Sequence, residues 1–142
     1  MLIDSNIIIY AAQPEHSALR DFITEHAPAV SAVSYVEVLG YHRLTEPERR
    51  HFESFFNAAV VLPISDEVLR KDVELRQSRK MSLGDALVAG TALANDLTLV
   101  TRNTKGFSSI TALRLFDPFT SSRAQQPAFF TDHVTSSDWL SI

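Results

Sequence analysis

The chain contains no cysteine. Disulfide frameworks, zinc–thiolate sites and thiol nucleophiles are therefore excluded together, and any metal must be held by oxygen or imidazole. Imidazole is poorly placed for that task, because the five histidines, at positions 16, 26, 42, 51 and 133, include no pair at metal-ligand spacing on one helix face. Long hydrophobic runs are also missing: nothing approaches the roughly 20 apolar residues that cross a bilayer. Asp4 stands where a signal peptide needs positive charge. These absences predict a soluble, cytoplasmic protein with no membrane partner. An excess of basic charge is lacking too, the formal net charge being −4. Broad binding to a phosphate backbone draws its affinity from many Lys and Arg contacts, so attraction to nucleic acid would have to be local.

What the chain has is enough apolar material for one core. With 142 residues and 45% hydrophobic content, one domain is expected. No internal repeat or low-complexity stretch divides it, so the elements are read from periodicity and breaker residues. Met1-Leu2-Ile3 reads as a short strand ended by Asp4, and the span from Glu15 to His26 carries Leu19, Phe22 and Ile23 at helical spacing. Ala29-Val30-Ser31 is a second strand. Ser34-x-x-Glu37 and Thr45-x-x-Glu48 both have the form of a capping box that opens a helix. The second carries Pro47 at an early helical position, ahead of Phe52, Phe55 and Phe56. Ala59–Leu62 is a strand-length apolar run, and Ser65 caps a helix expected to turn Val68, Leu69 and Val73 inward. Ser82 opens a further helix that runs to about Asn95, Leu97–Val100 is a strand, and Leu113–Leu115 is a weaker one. The alternation predicts an α/β fold, a parallel sheet with helices on both faces.

Open sheets of this kind bind ligands beyond the carboxyl ends of their strands. Asp4 ends the first strand, Glu37 follows the second, and Asn103 follows the Leu97–Val100 strand by three residues. Asp85 opens a helix running antiparallel to the strand it precedes, which brings it to the same edge. Three carboxylates and one amide thus converge on a small volume, where like charges repel strongly unless a cation intervenes. Magnesium, or manganese, suits oxygen ligands and retained water, and that combination suggests phosphodiester hydrolysis. Each residue also has a purely structural explanation. Glu37 fits as the distal partner of a Ser34 capping box, Asp85 as an acid favoured by a helix dipole, and Asp4 and Asn103 as turn or cap residues.

Four segments carry a family likeness: Leu2-Ile3-Asp4-Ser5-Asn6, Ser31-x-x-Ser34-x-x-Glu37, Gly84 to Ala89, and Leu99 to Phe107. In order and spacing they resemble the PIN domain, in particular toxins of the VapC type, over about residues 1–118. The resemblance implies a three-layer α/β/α sandwich with a central parallel sheet, and magnesium- or manganese-dependent cleavage of RNA. It also implies a homodimer and neutralisation by a small antitoxin. Asp4, Glu37 and Asp85 match the family's acidic positions. The match weakens at the fourth corner, where relatives often carry an acid at the position of Asn103 or of Gly106.

The roles expected on this basis place the metal ion on Asp4, Asp85 and Glu37, with Glu37 and Asn103 orienting the attacking water. Asn6, Thr101, Arg102 and Lys105 are the expected substrate contacts. A haloacid-dehalogenase-like phosphatase expects a second Asp where Asn6 stands, and a receiver domain needs an acidic pair and a late lysine that are absent. The remaining rival is a catalytically weak or inactive PIN-like module that binds RNA or protein without cutting. Residues 1–119 are assigned to the nuclease-like domain. Residues 120–142 form a polar C-terminal appendage whose Phe129, Phe130 and Trp139 call for a partner surface.

Overall fold

The computed structural model describes residues 1–120. The expected appendage, residues 120–142 with Phe129, Phe130 and Trp139, lies outside the described residues except for Thr120.

Leu2–Ile3 forms β1, and the chain turns at once into α1, Ser5–Ala11. The Asp4 side chain starts this helix by accepting the Ser5 backbone N–H at 2.7 Å. Helix α1 has no helical signature in the sequence because Ile7, Ile8 and Ile9 are all buried, at 0%, 3% and 1% exposure. A helix buried along nearly all its length shows no polar stripe, and β-branched residues favour strands. After α2 (Ser17–His26), β2 occupies Ala29–Ser31 as expected.

The next helix, α3, spans Ala32–Leu39 and is capped by Ser31, whose hydroxyl accepts the Val33 N–H at 3.2 Å. The expected capping box at Ser34 is therefore wrong. The cap falls three residues earlier, directly on the strand end, so Ser34 and Glu37 are interior to the helix and their side chains are free for other contacts. The second expected box is present, with Thr45 and Glu48 exchanging hydrogen bonds at the start of α4, Glu46–Ala58. Phe52 and Phe56 of α4 are 2% and 4% exposed, and full burial of each contributes roughly 2–3 kcal/mol to its docking.

Val61–Leu62 is β3, shorter than the apolar run that announces it, and Ser65 caps α5, Asp66–Ser78. Val68 turns inward, but Leu69 and Val73 do not: they are 48% and 57% exposed. The inward stripe is Val68, Asp72 and Leu75, spaced by four and three residues as a helix requires. The acid in that stripe hides it from a hydrophobicity reading. Ser82 caps α6, Leu83–Ala94, followed by β4 (Leu99–Val100), the single-turn α7 (Thr104–Phe107) and β5 (Leu115–Phe116).

All five strands are parallel, in the order β3-β2-β1-β4-β5. Alternation along two-residue strands is enough to build both cores. Ile3, Val30 and Val100 face the α1–α4 layer with Val38, Phe52 and Phe56. Leu2 and Leu99 face the opposite layer with Leu75, Val88, Ala89 and Phe107. The result is the three-layer α/β/α sandwich. Successive strands are laid to one side of β1 and then, after α6, to its other side. The crevice between the carboxyl ends of β1 and β4 is therefore the topological switch point, the usual ligand position in such sheets. Among the described residues, no helix is long and apolar enough to cross a membrane.

Candidate active site

A cavity of about 340 Å³ opens at this switch point, lined by Asp4, Ser5, Asn6, Glu37, Gly84, Asp85 and their neighbours Ser82 and Asn103. Each arrives by a different route. Asp4 is the last residue before α1, Glu37 projects from the second turn of α3, Asp85 lies in the first turn of α6, and Asn103 caps α7.

Asp4 is the most enclosed of the acids, at 7% exposure. Its Oδ1 accepts the Ser5 N–H at 2.7 Å, and its Oδ2 accepts the Thr101 hydroxyl at 2.9 Å. Burial drives its pKa upward, and the charges of Asp85 and Glu37 add to that rise. The two hydrogen bonds oppose it, and the balance leaves the group at about 6.

Glu37 is held differently. Its Oε1 lies 2.7 Å from Ser5 Oγ, which is itself 2.8 Å from Ser34 Oγ. A hydroxyl has one proton to donate. The consistent arrangement has Ser34 donating to Ser5 and Ser5 donating to the carboxylate. The other carboxylate oxygen packs on Gly84, where an added Cβ would stand 2.6 Å from Oε2. Burial, and then Asp85, raise the Glu37 pKa against the Ser5 hydrogen bond. These two shifts are the electrostatic signature of carboxylates crowded into a poorly solvated space.

Of the expected substrate contacts, Asn6 lines the cavity. Thr101 is fully buried beneath it, and its hydroxyl serves Asp4. The Arg102 guanidinium lies over the rings of Tyr10 and Phe119, 5.1 and 4.4 Å from their centroids. Lys105 is exposed on α7. Neither Arg102 nor Lys105 lines the cavity. Ser5, Ser34 and Gly84 carry structural tasks at the site that sequence reading did not assign. The signal for Gly84 was its place beside Asp85, but nothing in the sequence says which side chain it makes room for.

Among the described residues, no three Asp, Glu or His side chains stand close enough to form a ready-made metal cage. The donor set nevertheless fits magnesium or manganese. Such hard ions are held by one or two carboxylates with water completing the shell, and a cation would offset the cost of burying the charges of Asp4 and Glu37 and the lesser repulsion between them and Asp85.

A family model for the PIN domain matches residues 1–113. The chain belongs to the PIN domain family. Solved structures similar to this PIN domain include a toxin–antitoxin complex from Klebsiella pneumoniae, at 27% identity and a TM-score of 0.66, covering 82% of this chain and 96% of that one. VapBC2 from Rickettsia felis, bound to a DNA fragment from its promoter, shares the fold at 23% identity and a TM-score of 0.72, covering 81% of this chain and 96% of that one. VapBC-1 from nontypeable Haemophilus influenzae does so at 24% identity and a TM-score of 0.69, covering 82% and 96%. Comparison with curated proteins finds no match. The α/β/α architecture and the VapC-type PIN likeness expected from the sequence both stand.

Proposed function

We propose that this PIN domain is a magnesium- or manganese-dependent endoribonuclease, the toxin of a toxin–antitoxin pair, acting in the cytoplasm as a homodimer and restrained by a small antitoxin. The observation that carries the catalytic part is the cavity at the switch point of the sheet, with Asp4, Glu37 and Asp85 on its wall. PIN domains are nucleases, and the similarity to toxin–antitoxin complexes supports the biological role.

In this reading Asp4 and Asp85 hold the cation, with Glu37 beside them. A divalent ion bound there would neutralise the carboxylates, lower the pKa of the attacking water and shield charge developing at phosphorus. Glu37 is oriented by Ser5 and burial raises its proton affinity above that of a free carboxylate, so it is suited to align the water and accept its proton. Asp4 is fixed by Ser5 and Thr101, so its position does not depend on the substrate. Asn6, on the cavity wall, is available to the ribose or the phosphate. The attraction for RNA is local, consistent with a net charge of −4.

The test is cleavage of single-stranded RNA with and without magnesium or manganese, comparing wild type with Asp4→Asn and Asp85→Asn. Metal-dependent turnover that falls by orders of magnitude in both variants is the expected result. RNA binding without turnover in wild type would instead identify a binding module.

A further inference from the structure

Asn6 and Asn103 are the two amides on the wall of the acidic cavity, and the local hydrogen bonds of Asn103 decide what it offers there. Its Oδ1 accepts the Gly106 N–H at 3.3 Å, and its own backbone N–H donates to Thr101 Oγ1 at 3.0 Å. A backbone N–H can be met only by the oxygen end of the amide, so the orientation is fixed by chemistry. Gly106 permits this fold-back: a Cβ there would lie 2.5 Å from Asn103 Nδ2. The carbonyl is thus used within the loop. The Nδ2 group, on a residue that lines the acidic cavity, donates to no acceptor among the described residues.

We propose that Asn103 is a substrate-binding residue whose Nδ2 hydrogens bind a non-bridging phosphate oxygen of the RNA, and that this corner of the cavity, being a donor, limits the site to one divalent cation. This rests on the nuclease reading above and replaces the water-orienting role expected for Asn103. An amide whose oxygen is committed to Gly106 is a poor cation ligand, whereas two N–H donors suit an anion. The backbone N–H groups of the short α7 have no part in the proposal. Thr101 ties the two ends of the arrangement together, since the hydroxyl that accepts the Asn103 N–H also donates to Asp4. The backbone that carries the phosphate donor is therefore tied to the principal carboxylate through one hydroxyl.

The discriminating variant is Asn103→Asp, nearly the same shape and still able to accept the Gly106 N–H. Two measurements on the full chain are used: Mn²⁺ stoichiometry by calorimetry without RNA, and binding of a fluorescent mixed-sequence single-stranded RNA 20-mer with Ca²⁺ replacing the catalytic ion. Wild type should bind one Mn²⁺. Asn103→Asp should bind two and lose RNA affinity by tenfold or more, on the order expected for exchanging a hydrogen bond to a charged phosphate for repulsion. Asn103→Ala should keep one Mn²⁺ and lose about tenfold in RNA affinity through the missing donor. Two Mn²⁺ in wild type, or unchanged RNA affinity in both variants, would overturn the proposal while leaving the nuclease reading intact. If wild type binds no Mn²⁺ at all, the metal-dependent reading itself fails.

Discussion

Thr101 Oγ1 donates to Asp4 Oδ2 at 2.9 Å, joining the carboxyl ends of the adjacent strands β1 and β4 through a bond that is wholly buried. Replacing Thr101 by Val keeps the shape and removes the donor, leaving a buried carboxylate oxygen unsatisfied, at a typical cost of about 1–3 kcal/mol. Because that hydrogen bond favours the ionised form, the Asp4 pKa should rise above about 6. Thr101→Val should therefore have a lower melting temperature at pH 8, and its metal-dependent cleavage should shift to higher pH. An unchanged pH profile would show that the hydroxyl does not control the carboxylate.

The contact between Gly84 and Glu37 separates stability from activity. Alanine is the better helix former by about 1 kcal/mol, yet its Cβ would stand 2.6 Å from Glu37 Oε2. The clashing atom is the far end of a flexible side chain, so the carboxylate can move aside. Gly84→Ala is expected to melt at or above the wild-type temperature while cleavage falls at least tenfold, a part of the roughly 10²–10⁴-fold that a positioned proton acceptor contributes. Thermal denaturation and initial-rate assays on the same preparation check both halves. Loss of stability together with activity would mean the helix, not Glu37, had been displaced.

The parallel sheet and most helices were legible in the sequence because turns, caps and strand-length apolar runs are local signals. Ser65, Ser82 and the Thr45–Glu48 box mark their helix starts correctly. The misreadings have tertiary causes. Helix α1 is concealed by burial of every residue but Asn6, and the inward face of α5 contains Asp72. At the site, chain direction alone brings Asp4, Glu37, Asp85 and Asn103 to one sheet edge, but it does not reveal who holds whom. The Ser34–Ser5–Glu37 chain spans residues 29 and 32 positions apart, and the orientation of the Asn103 amide depends on a backbone N–H three residues on. Such partnerships are set by packing and have no counterpart in spacing.

Asp72 offers a stability prediction away from the site. It is 5% exposed in the seam between α5 and α6, neither oxygen has a hydrogen-bond partner, and its Oδ1 lies 1.8 Å from where a Cβ on Gly90 would be. Burial alone raises its pKa from 3.8 to about 6. A raised carboxylate pKa means that the folded state prefers the proton. Ionisation then costs stability as pH climbs from about 4 to 6, and the full cost persists above. The shift corresponds to about 3 kcal/mol. The Asn amide would itself be buried without partners, which offsets part of this, so Asp72→Asn is expected to gain roughly 1–2 kcal/mol at pH 7.5. Urea denaturation at pH 7.5 and at pH 3.5 checks the sign: the gain should shrink toward zero in acid. A destabilised variant at neutral pH would mean the carboxylate has an acceptor or donor role not visible in the fold.

Asp4 makes the same kind of titration report on cation binding. With its pKa raised from 3.8 to about 6, the carboxylate is protonated in mild acid. In the absence of a divalent ion its ionisation weakens the fold as pH rises through the 4–6 interval. A cation binds the ionised form, so proton and metal compete, and binding must release a proton near pH 6. The rise in melting temperature produced by millimolar MgCl₂ or MnCl₂ should therefore be small at pH 5, grow through pH 6 and level off by pH 7.5. Asp4→Asn should abolish that pH-dependent metal effect while melting higher than metal-free wild type at pH 7.5, because the cost of burying the charge, and the smaller repulsion from Asp85 and Glu37, are gone. Differential scanning fluorimetry over this pH range, with and without the ion, separates the cases. Equal stabilisation of wild type at pH 5 and pH 8 would show that Asp4 is not where the metal acts.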